Sequence, residues 1–178
     1  MSKVHYYAGI GSRETPSEVL DLFTYLAEYL GKRGLVLRSG GAPGADSAFE
    51  VGADRVNAPK DIYLPWRNFN NNPSPLCNVE TQAMLLAEHY HPAWGRLSAA
   101  ARKFHARNVY QVLGKNLSQP CDFILCYTPG GSQSGGTGQA IRVAKAYNVP
   151  IIDFGLPNAK EELNQLLRCS RHQTNMVK

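Results

Sequence analysis

The sequence predicts a single doubly wound α/β domain, in which helices cover both faces of a parallel sheet. Short apolar runs alternate with helical patterns along the chain, and three of these runs lead directly into glycine-rich turns. The length of 178 residues fits one domain. Hydrophobic residues make up 43% of the chain, enough for a core, whereas 19% charged residues is too few for a disordered or coiled-coil protein.

The first half of the chain alternates strand and helix twice before a third strand. A capping box begins the first predicted helix, with Thr15 as N-cap, Pro16 at the first helical position and Glu18 three residues after Thr15. Apolar residues recur at helical spacing until Gly31 or Gly34 ends the helix. The predicted strands lie at residues 4–8, 35–38 and 61–64, and a second helix of small residues follows residue 46 and continues to about residue 52.

An irregular stretch at residues 65–75 interrupts this alternation, which resumes late in the chain. The predicted core spans about residues 4–155, and a C-terminal helix at 158–170 completes one domain over residues 1–178. The other predicted elements of this half are helical segments around 79–87 and 98–113, a strand at 123–127, a helix at 139–147 and a strand at 149–153.

Ten of the 16 glycines follow predicted strands in three turns. The carboxyl ends of parallel strands meet at one edge of a sheet, and ligands bind there where the strand order reverses. Glycine lets the backbone approach a ligand closely, and a helix N-terminus attracts anions. Steric needs of the turns alone are the alternative explanation, but three such turns favour a phosphate-bearing ligand. The glycines are Gly9 and Gly11; Gly40, Gly41 and Gly44; and Gly130, Gly131, Gly135, Gly136 and Gly138.

The third turn adds the hydroxyl groups of Ser132, Ser134 and Thr137, which suit phosphate oxygens. None of the three turns matches the G-x-G-x-x-G fingerprint or a Walker A loop. The turns therefore indicate neither a nicotinamide dinucleotide nor a P-loop reaction.

These turns also carry a resemblance to a known group. Residues 8–13 read Ala-Gly-Ile-Gly-Ser-Arg, residues 38–46 read Arg-Ser-Gly-Gly-Ala-Pro-Gly-Ala-Asp, and residues 135–138 read Gly-Gly-Thr-Gly. With Phe-His-Ala-Arg-Asn at 104–108, the chain resembles the SLOG superfamily, which unites the DNA-processing protein A family with the lonely-guy nucleotide phosphoribohydrolases. The resemblance covers roughly residues 4–155. It implies a Rossmann-like domain that binds a nucleotide or nucleotide-derived ligand, often as a homodimer or higher homo-oligomer.

The resemblance also implies functional residues, and here the chain departs from the pattern. Arg107 falls where the phosphoribohydrolases carry a functional arginine, but Ala140 stands where they carry the glutamate that serves glycosidic cleavage. Because that cleavage needs a carboxylate, Glu50 becomes the candidate catalytic partner of Arg107. A solvated helix position is the alternative for Glu50, and Asp46 is expected to accept hydrogen bonds from backbone amides at its helix start.

Three further side chains extend the predicted site. Arg13 could pair with a phosphate, or face Glu14 or Glu18 at the surface. Trp66 could stack on a base and Arg67 reach a phosphate, or both could pack within their loop. The predicted nucleotide-binding residues are Gly9, Gly11, Ser12, Arg13, Ser39, Gly40, Gly41, Gly44, Asp46, Trp66, Arg67, Asn108, Gly130, Gly131, Ser132, Ser134, Gly135, Gly136 and Thr137.

The net charge of +5 comes from one block. Residues 92–120 hold five cations and no acid, namely Arg96, Arg102, Lys103, Arg107 and Lys115. The block could form a stripe that contacts single-strand DNA, or Arg107 alone could turn into the pocket while the others stay solvated. We favour the second interpretation because aromatic residues rarely interleave with these cations.

The remaining sequence signals are negative. No apolar run is long enough to span a membrane, and the N-terminus lacks a signal-peptide core, so we expect a cytoplasmic protein. Cys77, Cys121, Cys126 and Cys169 form no C-x-x-C pair and are expected to be buried thiols. No metal site or cofactor is predicted.

We therefore expect a nucleotide-binding protein, and three functions stay open. The first is N-glycosidic hydrolysis of a nucleoside 5′-monophosphate. The second is non-catalytic sensing or sequestration of a nucleotide, which explains the missing glutamate more simply. The third, single-strand DNA binding, is not favoured.

Overall fold

A computed structural model describes the backbone of residues 4–175 and the side chains of residues 4–168. Five short strands form one parallel sheet: β1 (Tyr6–Gly9), β2 (Val36–Ser39), β3 (Lys60–Ile62), β4 (Phe123–Cys126) and β5 (Ile151–Asp153). Their order across the sheet is β3-β2-β1-β4-β5. The chain builds outward from β1 on one side and then crosses to β4 on the other, so the strand order reverses between β1 and β4. A crevice opens at the carboxyl ends of such a pair.

Six α-helices cover the sheet: α1 (Ser17–Gly31), α2 (Ala45–Arg55), α3 (Thr81–Tyr90), α4 (Ala99–Leu113), α5 (Gly135–Ala146) and α6 (Ala159–Asn175). One face packs against α1, α2 and α6, where Tyr7 of β1 stacks on Phe123 and meets Phe49 edge-on. The other face packs against α3, α4 and α5, with Ala8 and Ile124 in its centre. The α/β Rossmann-like fold with two covered faces confirms the predicted fold class.

Two helix starts differ from the sequence prediction. The predicted capping box is wrong: α1 begins at Ser17 without a side-chain cap, and the Thr15 hydroxyl instead donates to the Ser12 carbonyl oxygen at 2.6 Å. Helix α5 begins at Gly135, four residues before the predicted position 139. A Cβ on Gly138 would overlap the Gln133 carbonyl oxygen, so close packing requires glycine at this position of the first turn. Their poor helix propensity conceals the helix start in the sequence.

The cysteines follow the predicted pattern in part. Cys121 and Cys126 are buried free thiols, and Cys77 is half-buried. The side chain of Cys169 lies outside the described residues. Within residues 4–175, no helix is both long enough and apolar enough to cross a membrane.

Candidate functional site

A cavity of about 490 Å³ lies where the strand order reverses, at the carboxyl ends of β1 and β4. The first and third glycine turns, the start of α2 and the middle of α4 form its walls. Its volume is in the range of small-molecule sites. The lining residues are Ile10, Gly11, Ser12, Arg13, Glu14, Ala42, Asp46, Ala101, Phe104, His105, Arg107, Asn108, Gln111, Tyr127, Thr128, Pro129, Ser132, Ser134, Gly135, Gly136 and Thr137.

A buried charge pair forms the floor of this cavity. Arg107 is only 5% exposed, and its Nη1 atom lies 3.6 Å from Oδ2 of Asp46, which is 4% exposed. The same Nη1 donates to the Gly40 carbonyl oxygen, and at 3.4 Å to that of Tyr63. Within the described part of the chain, Nε of Arg107 is buried without a hydrogen-bond partner. The floor therefore combines a compensated charge with one unused donor.

Burial governs the protonation of the floor. It raises the pKa of Asp46 to about 6, although Arg107 and the Ala42 amide both counteract the rise. Burial likewise lowers the pKa of the Arg107 guanidinium, and Asp46 opposes that change. The Ala42 amide donates to Asp46 Oδ2 at 3.2 Å, as expected for an acid in the first turn of a helix.

The first glycine turn is fixed to the sheet. Amide groups of Ile10 and Ser12 donate to carbonyl oxygens of Leu125 and Tyr127 at 3.1 and 3.2 Å. A Cβ on Gly11 would lie 2.7 Å from the Ala45 side chain, so only glycine fits between β1 and α2. Arg13 leaves this rigid turn as an exposed side chain at the rim of the cavity.

The third turn presents polar groups to the cavity. Helix α5 begins there, so the amides of its first turn and the Ser132, Ser134 and Thr137 hydroxyls lie at one wall. The Ser132 hydroxyl lies 3.2 Å from that of Ser134, and both serines are exposed. Asn108 of α4 donates through Nδ2 to the Gly136 carbonyl oxygen at 2.9 Å, which ties this wall to the floor. The wall is suited to an anion because the helix N-terminus and the hydroxyls act together.

Arg142 holds the third turn from behind, a role that the sequence analysis missed. Its Nη1 donates to the Gln133 carbonyl oxygen at 3.1 Å, its Nη2 to Gln139 Oε1 at 2.8 Å and its Nε to the Tyr90 carbonyl oxygen at 2.9 Å. The fully buried Gln139 in turn donates to the Ala87 carbonyl oxygen. The three-residue spacing of Gln139 and Arg142 on one helix face is the signal that could have suggested the pair.

His105 is a second lining residue that the prediction omitted. Its side chain is buried, its ring centroid lies 4.5 Å from that of His91, and its Nδ1 is without a partner among the described residues. Burial lowers the pKa of His105 to about 4, and His91, Arg142 and Arg107 add to the effect. His105 is therefore neutral near pH 7. In the described residues, no three His, Cys, Asp or Glu side chains are grouped to hold a metal ion.

The structure brings together part of the predicted site. Eleven predicted residues line the cavity: Gly11, Ser12, Arg13, Asp46, Arg107, Asn108, Ser132, Ser134, Gly135, Gly136 and Thr137. The other predicted binding residues lie outside the lining: Gly9, Ser39, Gly40, Gly41, Gly44, Trp66, Arg67, Gly130 and Gly131. Some of these residues hold neighbouring parts of the site in place. The Ser39 hydroxyl donates to the Gly9 carbonyl oxygen at 2.7 Å, and the Gly40 carbonyl oxygen accepts from Arg107.

Glu50, the predicted catalytic carboxylate, also lies outside the cavity lining. It accepts a hydrogen bond from Lys60 Nζ at 2.8 Å and from Asn72 Nδ2 at 3.0 Å. These contacts join α2 to β3 and to the loop that follows β3. A catalytic role for Glu50 stays a prediction, and its present contacts are structural ones.

Solved structures with the same fold include those of the following three proteins. The molybdenum cofactor carrier protein of Chlamydomonas reinhardtii is 15% identical, with a TM-score of 0.57 over 92% of this chain and 85% of its own. DNA processing protein A of Helicobacter pylori is 21% identical, with a TM-score of 0.56 over 93% of this chain and 73% of its own. The structural-genomics target TM1055 is 18% identical, with a TM-score of 0.53 over 83% of this chain and 72% of its own.

All three share the α/β Rossmann-like fold of this chain, so the comparisons confirm the fold that the sequence resemblance implies. No family model matches the chain, and no curated protein matches it either.

Proposed function

We propose that this chain binds a phosphorylated nucleotide or nucleotide-derived ligand in the cavity and acts as a non-catalytic sensor or sequestering protein. The observation that carries the proposal is the third turn, where the N-terminus of α5 and three hydroxyl groups face a shared space. Arg13 stands at the rim of that space and Arg107 at its floor. Helix N-termini and arginine forks are the groups that bind phosphate in proteins.

The distribution of carboxylates argues for binding without cleavage. Ala140 is buried in the position where the phosphoribohydrolases carry their glutamate, and Glu50 is engaged by Lys60 outside the lining. The lining carboxylates are Glu14 and Asp46. Asp46 is already committed to Arg107 and to a backbone amide. A glycosidase needs a carboxylate that is free to stabilise a cationic sugar or to activate water, and the lining offers for this only Glu14, which is exposed at the cavity rim.

The distribution of cations argues against single-strand DNA as the ligand, although the Helicobacter pylori protein is described as binding it. Arg107 is buried in the floor and cannot belong to a surface stripe. Arg96, Lys103 and Lys115 remain exposed. Lys103 lies in the first half of α4, whereas Lys115 lies beyond the end of that helix at Leu113, so the two do not form one stripe along it.

Thermal unfolding with added ligand tests the proposal. Adenosine, guanosine, cytidine and uridine 5′-monophosphates, with orthophosphate as a reference, are each titrated against the purified protein. We expect at least one nucleotide to raise the Tm, because a ligand at 100 times its Kd stabilises the native state by about 2.7 kcal/mol. Arg13→Ala should weaken that nucleotide's binding about tenfold, since charge-assisted hydrogen bonds are roughly that strong.

Arg96→Ala is the matched control, because Arg96 is exposed and outside the lining. It should bind the nucleotide as the parent protein does. The absence of any nucleotide-dependent shift would contradict the proposal. Chromatography of the same mixtures tests the catalytic alternative, and release of free base would establish a hydrolase instead of a sensor.

A further inference from the structure

An aromatic cluster adjoins the cavity, and we call Trp66, Phe69 and Phe104 the aromatic lip. The three rings meet edge to face, with centroids 5.0 Å apart for Trp66 and Phe104, 5.4 Å for Trp66 and Phe69, and 5.3 Å for Phe69 and Phe104. Phe104 lines the cavity and Phe69 is buried, but Trp66 keeps 37% of its surface exposed. An aromatic surface thus continues from the cavity wall to an exposed indole.

The loop that carries Trp66 is held in place by hydrogen bonds to the second glycine turn. Asn70 donates through Nδ2 to the Gly41 carbonyl oxygen at 3.0 Å, and Asn72 donates to the Glu50 carboxylate. Asn68 and Asn70 adopt left-handed backbone conformations, which asparagine tolerates better than most residues. Because the loop is fixed before any ligand arrives, little ordering entropy opposes contact with Trp66.

Charged side chains around the aromatic lip are mainly cationic. Arg67 directly follows Trp66 and is exposed, Lys103 directly precedes Phe104 and is exposed, and Arg13 stands at the cavity rim. Glu14 is the acid at that rim. The surface therefore combines an exposed ring with an excess of positive charge, the combination that binds a base and its phosphate.

We infer that the ligand contains two linked nucleotide units, one phosphate-bearing unit in the cavity and a second base stacked on Trp66. This inference rests on the proposed function. A single nucleotide fits within a cavity of about 490 Å³, and Trp66 is not part of the lining. A group that reaches Trp66 must therefore lie beyond the first unit. The lip offers one exposed ring and so takes one further base.

Tryptophan fluorescence tests the inference, because the chain has two tryptophans and Trp94 is 9% exposed. In a Trp94→Phe background, Trp66 is the sole reporter. The probes are adenosine 5′-monophosphate and the 5′-phosphorylated dinucleotide pApA, each with its guanine counterpart. We expect the dinucleotide of the preferred base to quench Trp66 and to bind about tenfold more tightly than the mononucleotide, as one stacked base allows.

Variants separate stacking from folding. Trp66→Ala, measured by calorimetry, should lower dinucleotide affinity to that of the mononucleotide and leave mononucleotide affinity unchanged, while Trp66→Phe should restore most of the difference. Leu85→Ala removes another exposed large apolar side chain, on α3, and should change neither affinity.

Each outcome bears on one claim. Equal affinities without quenching would overturn the two-unit ligand and leave the proposed function standing, whereas failure of both probe classes would contradict the proposed function itself. If a pentanucleotide bound tighter still, the limit of two units would be wrong and the ligand would be a nucleic-acid strand.

Discussion

The floor and the third turn of the cavity use polar groups in opposite ways. In the floor, Arg107, Asp46 and the Gly40 carbonyl oxygen bind one another and are shielded from water. In the third turn, Ser132 and Ser134 are exposed, and within the described residues their hydroxyls hydrogen-bond only to each other. The comparison teaches that a predicted binding residue can line the cavity and still make most of its polar contacts with the protein itself. The floor holds the shape, and the third turn is available to a ligand.

The largest expected difference between the two regions is in stability. Arg107→Ala leaves the Asp46 carboxylate buried without its charge partner, which typically costs 3–5 kcal/mol, so roughly that loss in the free energy of unfolding is expected. Ser134→Ala removes an exposed hydroxyl and should change the free energy of unfolding by less than about 0.5 kcal/mol. Urea unfolding followed by circular dichroism measures both. An Arg107→Ala protein as stable as the Ser134→Ala protein would show that the floor is not structural.

The pH dependence of stability offers a finer test, because two buried lining groups shift in opposite directions. The pKa of Asp46 rises from 3.8 to about 6 on folding, so between these values the folded state holds a proton that the unfolded state has released. The free energy of unfolding therefore falls as the pH rises through this window. The pKa of His105 falls from 6.5 to about 4, so its contribution rises with pH over nearly the same window.

The two contributions should largely cancel in the parent protein between pH 4 and pH 6. Asp46→Asn should leave a free energy of unfolding that rises with pH, and His105→Gln one that falls with pH. Urea unfolding at half-unit pH steps measures these slopes. Slopes of the same sign in both variants would refute the assignment, and Ser134→Ala should keep the slope of the parent.

The sequence predicted the fold well because strand and helix patterns are local. Buried strands leading into glycine turns were sufficient to place β1, β2 and β4, and the order of elements followed. The start of α5 at Gly135 was not predictable, since Gly135, Gly136 and Gly138 favour a turn by propensity. A Cβ on Gly138 would overlap the Gln133 carbonyl oxygen, a packing constraint that propensity does not reveal. The capping box failed because α1 begins after Pro16, which leaves Thr15 one residue before the N-cap, where its hydroxyl donates to the Ser12 carbonyl oxygen.

The candidate site was predictable in its backbone and less so in its side chains. Glycine turns at strand ends meet at one edge whatever the side chains are, so Gly11 and Gly136 were placed correctly at the cavity. Arg107 binds Gly40, which lies 67 positions away in the chain, and Glu50 binds Lys60, which lies 10 positions away. Spacing along a helix cannot reveal such contacts. The same limit concealed Arg142 behind the third turn.

The smallest expected effect is on ligand affinity at the third turn. Ser132→Ala and Ser134→Ala each remove one neutral hydrogen-bonding group that faces the cavity, which should weaken binding of the nucleotide selected by thermal unfolding about two- to tenfold. Isothermal titration calorimetry measures the change, and Ser17→Ala is the matched control because Ser17 is exposed at the start of α1 and outside the lining. If both cavity variants bound the nucleotide as tightly as the control, its phosphate would have to lie away from the third turn. The third turn would then not be the ligand-binding wall of the cavity, even with the stability differences between floor and turn intact.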